Sequence, residues 1–397
     1  MAKKRSVITG IGVVSSVGIG KEQFWTSILK GVSGINKISL FKPFDRDYKF
    51  AGEIRGVDFA SFLGEKGLKR LDRSTKFLLI ASKLAMADAQ IYPGQKDDAS
   101  TGVVVGTDWG NIESNCHFHN LVLTKGPNEV NPMDFPSTIT NSAASQISMR
   151  YGLTGLNTTI SRGFVSAVDS LGYAKNAIQN YGLKRVLSGA VENLSIEFYS
   201  VFHKRKWLRK TRNILDKSES GVVLGEGACV LVLEDIKSAL RRNINIFAEV
   251  AGYGFSFGDN PASLKKSISL ALDDAGLSPQ DIDYISANAN GHKRKDSEEA
   301  KAIAEIFGGN KQFPIISTIK PYIGECFGAT GAMQAAACCL SLSKGLIPPV
   351  FLSKTKNKGK VSRSPSFKGI KKKISIAMIN SFSLDGNNAC LILKRPD

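Results

Sequence analysis

The sequence predicts an α/β protein built from two similar halves, and two observations carry that expectation. Along the 397 residues, apolar strand-like runs alternate with amphipathic stretches, the pattern of a mostly parallel sheet buried on both faces. The runs also recur in the same order. TGIGV (9–13) returns as AGYGF (251–255), and the helix-like AMADAQI (85–91) returns as ALDDAGL (271–277). TGVVVGT (101–107) has its counterpart in DYISANA (283–289), RVLSGAVEN (185–193) in ISIAMINSF (374–382), and GEGACVLVL (225–233) in GNNACLIL (386–393).

The last of these pairs joins a glycine turn to a buried strand in both copies. One short match is noise, whereas five in sequence point to an ancient duplication. The halves meet near 236–247, where SALRRNINIF reads as a helix end and connector. The expected units are therefore 1–245 and 246–397. No Pro/Gly/Ser-rich linker separates them, so the halves are expected to pack into one body.

With 42% apolar residues the chain has enough material for a large core. No uninterrupted apolar span is long enough for a membrane helix, and MAKKRSVITGIGVVSSVG runs straight into a strand pattern. The expected location is cytoplasmic. Six cysteines (Cys116, Cys229, Cys326, Cys338, Cys339, Cys390) show no C-x-x-C pair and no metal-ligand spacing, and read as reduced packing residues. Neither a metal nor a cofactor is expected.

Lys and Arg total 53 against 35 Asp and Glu, for a net charge of +18. That balance favours acidic partners such as an acidic carrier protein, nucleic acid or anionic lipid. Basic residues cluster in HKRKWLRKTR (203–212), ALRR (239–242), KTKNKGK (354–360) and IKKKI (370–374). No zinc-finger spacing or aromatic RNA-binding signature accompanies them, which sets nucleic acid aside.

The segment GLNTTISRGFVSAVDSLGYAKNAI (155–178) has the outline of a nucleophile turn: a glycine, a strand-like TTIS, then small residues opening a helix. It resembles the β-ketoacyl-acyl-carrier-protein synthases, whose pattern is G-P-N-x-x-I-S-T-A-C-A-S. A cysteine at a helix N-terminus has its thiolate stabilised by the helix dipole. Gly155, Asn157, Ile160 and Ser161 match, but Phe164 stands at the cysteine. A phenyl ring forms no thioester.

Three further motifs follow in the family's order. ANANGHKRKDSEE (287–299) lies under A-H-G-T-S-T-x-x-x-D-x-x-E, keeping Ala287, Asp296 and Glu299 but placing Asn288 at the histidine. The nearby His292, followed by three basic residues, reads as part of a solvated basic loop. KPYIGECFGATG (320–331) lies under K-S-x-x-G-H-x-x-G-A-A-G, keeping Lys320 and the glycines but placing Glu325 at the second histidine. A carboxylate there repels the developing enolate that two histidines stabilise. NSFSLDGNNA (380–389) lies under N-S-F-G-F-G-G-x-N-A, with Ser383, Leu384 and Asp385 replacing the glycine loop that completes the oxyanion hole.

The resemblance runs over nearly the whole chain. It implies a thiolase fold, layered α-β-α-β-α, with the condensing chemistry lost at Phe164, Asn288 and Glu325. Lys320, Asp296 and Glu299 are then expected to persist as structural salt links, and Cys326 as packing. Within the family such subunits resemble chain length factors, which pair with an active ketosynthase, shape its acyl tunnel and work with an acyl-carrier protein. Those chain length factors commonly carry glutamine where Phe164 stands. Trp109, in VGTDWGN (105–111), falls where the family places a bulky residue at the tunnel floor near the dimer interface, and reads either as that floor or as ordinary interface packing. Phe164 and Leu384 are the other candidate tunnel residues. The alternatives are an enzyme with altered thioester chemistry built on Glu325 and Asn288, or a homodimeric scaffold whose basic face holds carrier proteins.

Overall fold

The computed structural model describes residues 4–92, 94, 100–214, 216, 218–310, 312–349, 353–354, 361–362 and 369–396. In the first half, five strands carry the sheet: β1 (Ser6–Ser15), β2 (Thr101–Gly106), β3 (Asn157–Ile160), β4 (Arg185–Glu192) and β5 (Gly227–Asp235). Helices α1 (Arg73–Asp88), α2 (Ser142–Tyr151) and α3 (Ser166–Asn180) are interleaved, and α4 (Ile196–Lys204) follows β4. The second half repeats the series with β6 (Ala248–Phe257), α5 (Pro261–Ala275), β7 (Tyr284–Ser286), α6 (Lys293–Phe307), β8 (Ile315–Ser317), α7 (Thr330–Lys344), β9 (Ile376–Phe382) and β10 (Asn387–Lys394). A short helix, Ile236–Arg241, connects them where SALRRNINIF begins.

Strand order within the first half is β1-β5-β4-β2-β3, and within the second β6-β10-β9-β7-β8. In each half the first two pairings are antiparallel and the last two parallel. The sheet is thus mixed, not mostly parallel as expected. The physical reason is connectivity: β9 and β10 are joined by a tight turn, which only antiparallel strands allow, while the parallel pairs are reached through helices. The half-sheets meet where β1 pairs β6 through Val7↔Glu249 and Ile8↔Ala248.

Three apolar clusters give the five layers. Ala167, Val168 and Leu171 of α3 with Ala332, Met333 and Ala336 of α7 pack against strand residues of both halves. Outside the first half, Leu78, Ala81 and Ala85 of α1 and Ile147 of α2 cover the sheet. Outside the second, Leu264 and Ile268 of α5 and Ala302 and Ile303 of α6 do the same. From Thr330 to Leu342 α7 is buried on all sides and, Gln334 apart, is apolar or small around its circumference, as suits a central helix.

The duplication extends to individual contacts. In β1 the pairing with β5 slips between Ile8 and Gly10; in β6 the pairing with β10 slips between Val250 and Gly252. These are equivalent β-bulges. A methyl group on Gly10 would meet Ala85 O at 2.2 Å and Ala89 Cβ at 2.8 Å, and one on Gly252 would meet Ala271 O at 2.2 Å and Ala275 Cβ at 2.8 Å. Glycine is required at both positions because the helix backbone lies directly on the strand. Gly10→Ala and Gly252→Ala are each expected to cost about 1–3 kcal/mol through overpacking, seen as a lower urea midpoint with an unchanged m-value. Wild-type midpoints in both variants would show that the helices lift away freely.

Candidate functional site

The ends of α3, α7 and the β9–β10 turn converge with the segment after β7. At the start of α3, Gly163 adopts φ +64°, where an added Cβ would meet Ser383 Oγ at 2.7 Å and Asp385 Oδ2 at 2.9 Å. Only glycine makes this turn without strain. It delivers Phe164 to the head of α3, with the ring buried.

That ring is not alone. Phe164 stacks with Phe202 (centroids 6.4 Å apart) and meets Phe327 edge-on at 5.3 Å. Phe198 stacks on Phe327 at 4.6 Å, and Leu384 packs against the same cluster. Phe198 and Phe202 lie one helical turn apart on α4 and so share a face. Trp109, partly exposed, meets Phe198 with ring centroids 5.0 Å apart. The four phenylalanines fill the space beside the nucleophile position, each pair contributing attraction beyond its burial. Sequence reasoning missed Phe198, Phe202 and Phe327; the four-residue spacing on a helix was the available signal for two of them.

Asn288, Lys320 and Glu325 come together under this cluster, all three buried. Lys320 Nζ donates to Asn288 Oδ1 and to Glu325 Oε2, both at 2.8 Å. The other carboxylate oxygen, Glu325 Oε1, accepts from Thr330 Oγ1 at 2.7 Å and from the Phe327 amide at 3.0 Å. Asn288 Oδ1 also accepts from the Phe382 amide at 3.3 Å. Glu325 and Asn288 are each bonded to Lys320, so neither is presented as a free acid or base.

Glu299 is held by amide donors and not as a salt link, contrary to expectation. Glu299 accepts from the Asn288 and Ala289 amides at 2.9 Å each and from Asn380 Nδ2 at 3.0 Å. Burial pushes its carboxyl above the ordinary range while these donors pull it back. Asp296 accepts from the Gly291 amide at 3.2 Å. The segment around His292 is also not a solvated loop: it opens α6, His292 is only partly exposed, and Lys295 is buried against Asp259.

Ser383, Leu384 and Asp385 form a closed turn. The Ser383 amide donates to Asn387 O at 2.8 Å, and Asp385 accepts from both the amide and the side chain of Asn387 at 3.1 Å. Ser383 Oγ stands 3.5 Å from the Phe164 amide, at the outer limit of a hydrogen bond. A side chain therefore faces the amide that an oxyanion would need. Cys326 is fully buried, and burial, then Glu325 beside it, push its thiol well above the ordinary value. It is no nucleophile.

The basic clusters are partly neutralised within the fold. His203 meets Asp45 at 3.0 Å, Lys210 pairs with Asp47 at 2.7 Å, Arg209 is buried, and Arg242 pairs with Glu234 at 3.3 Å. Lys204, Arg205 and Lys206 remain exposed. The run 355–360 lies outside the described residues. Among the described residues no helix is long and apolar enough to cross a membrane.

Comparison with known proteins agrees with this fold. The profile of the β-ketoacyl synthase N-terminal domain matches residues 3–239, and that of the C-terminal domain matches 247–352. The chain belongs to the β-ketoacyl synthase family. Similar curated relatives of this family member include 3-oxoacyl-[acyl-carrier-protein] synthase 2 of Vibrio cholerae, 31% identical with both chains covered in full. Another is the protein of the same name from Staphylococcus aureus, 29% identical over 99% of this chain and 98% of that one. Among solved structures, one described as "The ishigamide ketosynthase/chain length factor" has a TM-score of 0.90 at 28% identity, covering all of both chains. A second, a type II PKS acyl-carrier protein in complex with its ketosynthase bound to the hexaketide, has a TM-score of 0.87 at 26% identity, covering 99% of this chain and 100% of that one.

Removing one partner of a buried ion pair strands the other charge, at about 3–5 kcal/mol. Lys320→Met and Glu325→Gln are each expected to lose that much, measured by urea denaturation, whereas the double variant loses far less than their sum. Strict additivity would show that the pair is not coupled.

Proposed function

We propose that this chain is a non-catalytic ketosynthase-like subunit of chain-length-factor type, which pairs with an active β-ketoacyl-acyl-carrier-protein synthase and shapes its acyl tunnel in fatty acid or polyketide synthesis. The observation that carries the reading is the filled nucleophile position: Phe164 is packed between Phe202 and Phe327 at the helix head. An acyl-enzyme needs a sulfur there and room for the thioester. Lys320 occupies Asn288 and Glu325, so the second half of the chemistry, holding a thioester carbonyl, has no neutral donor pair.

Trp109 is the residue through which such a subunit acts. It touches the aromatic cluster on one side and remains partly exposed on the other. The likeness to a solved ketosynthase/chain length factor over the full chain supports this reading, and the net charge of +18 suits an acidic carrier protein near the complex.

The test is co-expression with an active ketosynthase subunit, followed by size-exclusion chromatography and analysis of product length. The expected outcome is co-elution, with Trp109→Ala shifting products to longer chains. A chain that elutes alone, or a Trp109→Ala complex with unchanged products, would defeat the reading. Phe164→Cys is expected to leave the isolated chain unable to release carbon dioxide from malonyl-carrier protein, because Glu325 and Asn288 remain. Condensation by that single variant would mean the site is far closer to an enzyme.

A further inference from the structure

The backbone on either side of Trp109 is held in place. The Asp108 amide bonds the buried carboxylate of Glu192, which ends β4, and the Gly110 amide donates to Thr107 Oγ1 at 3.0 Å. With both neighbours fixed, the reach of the indole depends on what stands behind it. That is Phe198, whose ring centroid lies 5.0 Å away. Trp109 keeps 36% of its surface exposed, whereas Phe198 is fully buried.

Phe198 has no room to yield. It stacks on Phe327 at 4.6 Å, with the ring planes 22° apart. Phe327 is itself fully buried and takes φ +48°, a left-handed conformation rare for a bulky residue. Such a conformation persists only where the surroundings impose it. Here the Phe327 amide bonds Glu325, and its ring is closed in by Phe164 and Phe202. The helix that carries Phe198 is clamped from another face as well: Tyr199 Oη donates to the Asp45 carbonyl at 3.0 Å, and His203 Nε2 meets the Asp45 carboxylate at 3.0 Å.

We propose that Phe198 is the positioning residue for Trp109: its ring props the indole outward, so the volume at position 198 sets how far Trp109 projects toward the partner. The prop is read from the packing; its effect on product length rests on the chain-length reading above. A smaller side chain at 198 opens space beneath the indole. The walls of an interior void lose their contacts, and of the three rings around Phe198 only Trp109 has an unpacked side from which to move, Phe202 and Phe327 being buried. The indole therefore sinks inward, burying more apolar surface as it does so.

The direction of the response separates a prop from ordinary core packing. Loss of a packing neighbour alone loosens Trp109 and exposes it further to water. Loss of a prop does the opposite, because the indole withdraws from solvent into the space that opens. In the complex, a withdrawn indole leaves more room for the partner's acyl chain.

The experiment uses the isolated chain with Trp25→Phe and Trp207→Phe, leaving Trp109 as the sole tryptophan. In that background Phe198→Leu is expected to shift the emission to the blue and to lower its quenching by acrylamide, and Phe198→Ala to do more of both. Should Phe198→Ala not fold, Phe198→Leu carries the measurement. Co-expressed with an active ketosynthase subunit, the same substitutions are expected to give products at least one extension step longer. Phe198→Ala combined with Trp109→Ala is expected to match Trp109→Ala alone, since the prop acts only through the indole. Quenching that is unchanged or rises in a folded variant overturns the proposal. So does a product of parental length from a Phe198 variant whose complex forms, where Trp109→Ala lengthens it. If the indole withdraws while neither the Phe198 variants nor Trp109→Ala alter the products, the prop stands and the chain-length role of Trp109 falls.

Discussion

An ammonium group buried in a protein must find a counter-charge or give up its proton, because the interior solvates it poorly. Lys320 meets that demand with Glu325, and the segments around the site are arranged about this pair. Glu325 bonds the head of α7 through Thr330 and the bend that presents Phe327. Lys320 reaches across to Asn288 after β7, and Asn288 in turn accepts from β9 through Phe382. Three segments distant from one another in the chain are tied together at this joint.

Much of the fold was legible because its signals are local and doubled. Gly10 with Ala85, and Gly252 with Ala271, are contacts between residues that stand in matching pentapeptides and heptapeptides, so the repeat in the sequence is the repeat in the packing. Strand direction was not legible. Val186 and Val230 read as buried apolar residues whichever way the neighbouring strand runs, and only the connections decide it.

The site was legible at the positions where one residue type is chemically indispensable. Phe164 excludes a thioester wherever it points, and Glu325 excludes a neutral donor. What those residues do instead depends on neighbours distant in the chain. Phe202 and Phe327 meet Phe164 only because α4 and the bend before α7 converge on the head of α3. Glu299 reads in the sequence as a salt link, but the backbone amides of Asn288 and Ala289 fill it. Asp108 stood beside Trp109 in the motif, and its neighbour Glu192 lies on another strand.

The matched helix-on-strand units differ in one respect that bears on how the chain reaches its structure. In the second half β6 runs almost directly into α5, with only 258–260 between them; in the first, residues 16–72 separate β1 from α1. Closing a loop costs conformational entropy that rises with its length, so the same tight strand-to-helix seat forms at a smaller entropic cost in the second copy. Non-local contacts of this kind slow folding. The two halves, alike in their finished packing, therefore present unequal barriers to assembly. β6 with α5 is the unit suited to form early and to offer β1 its edge.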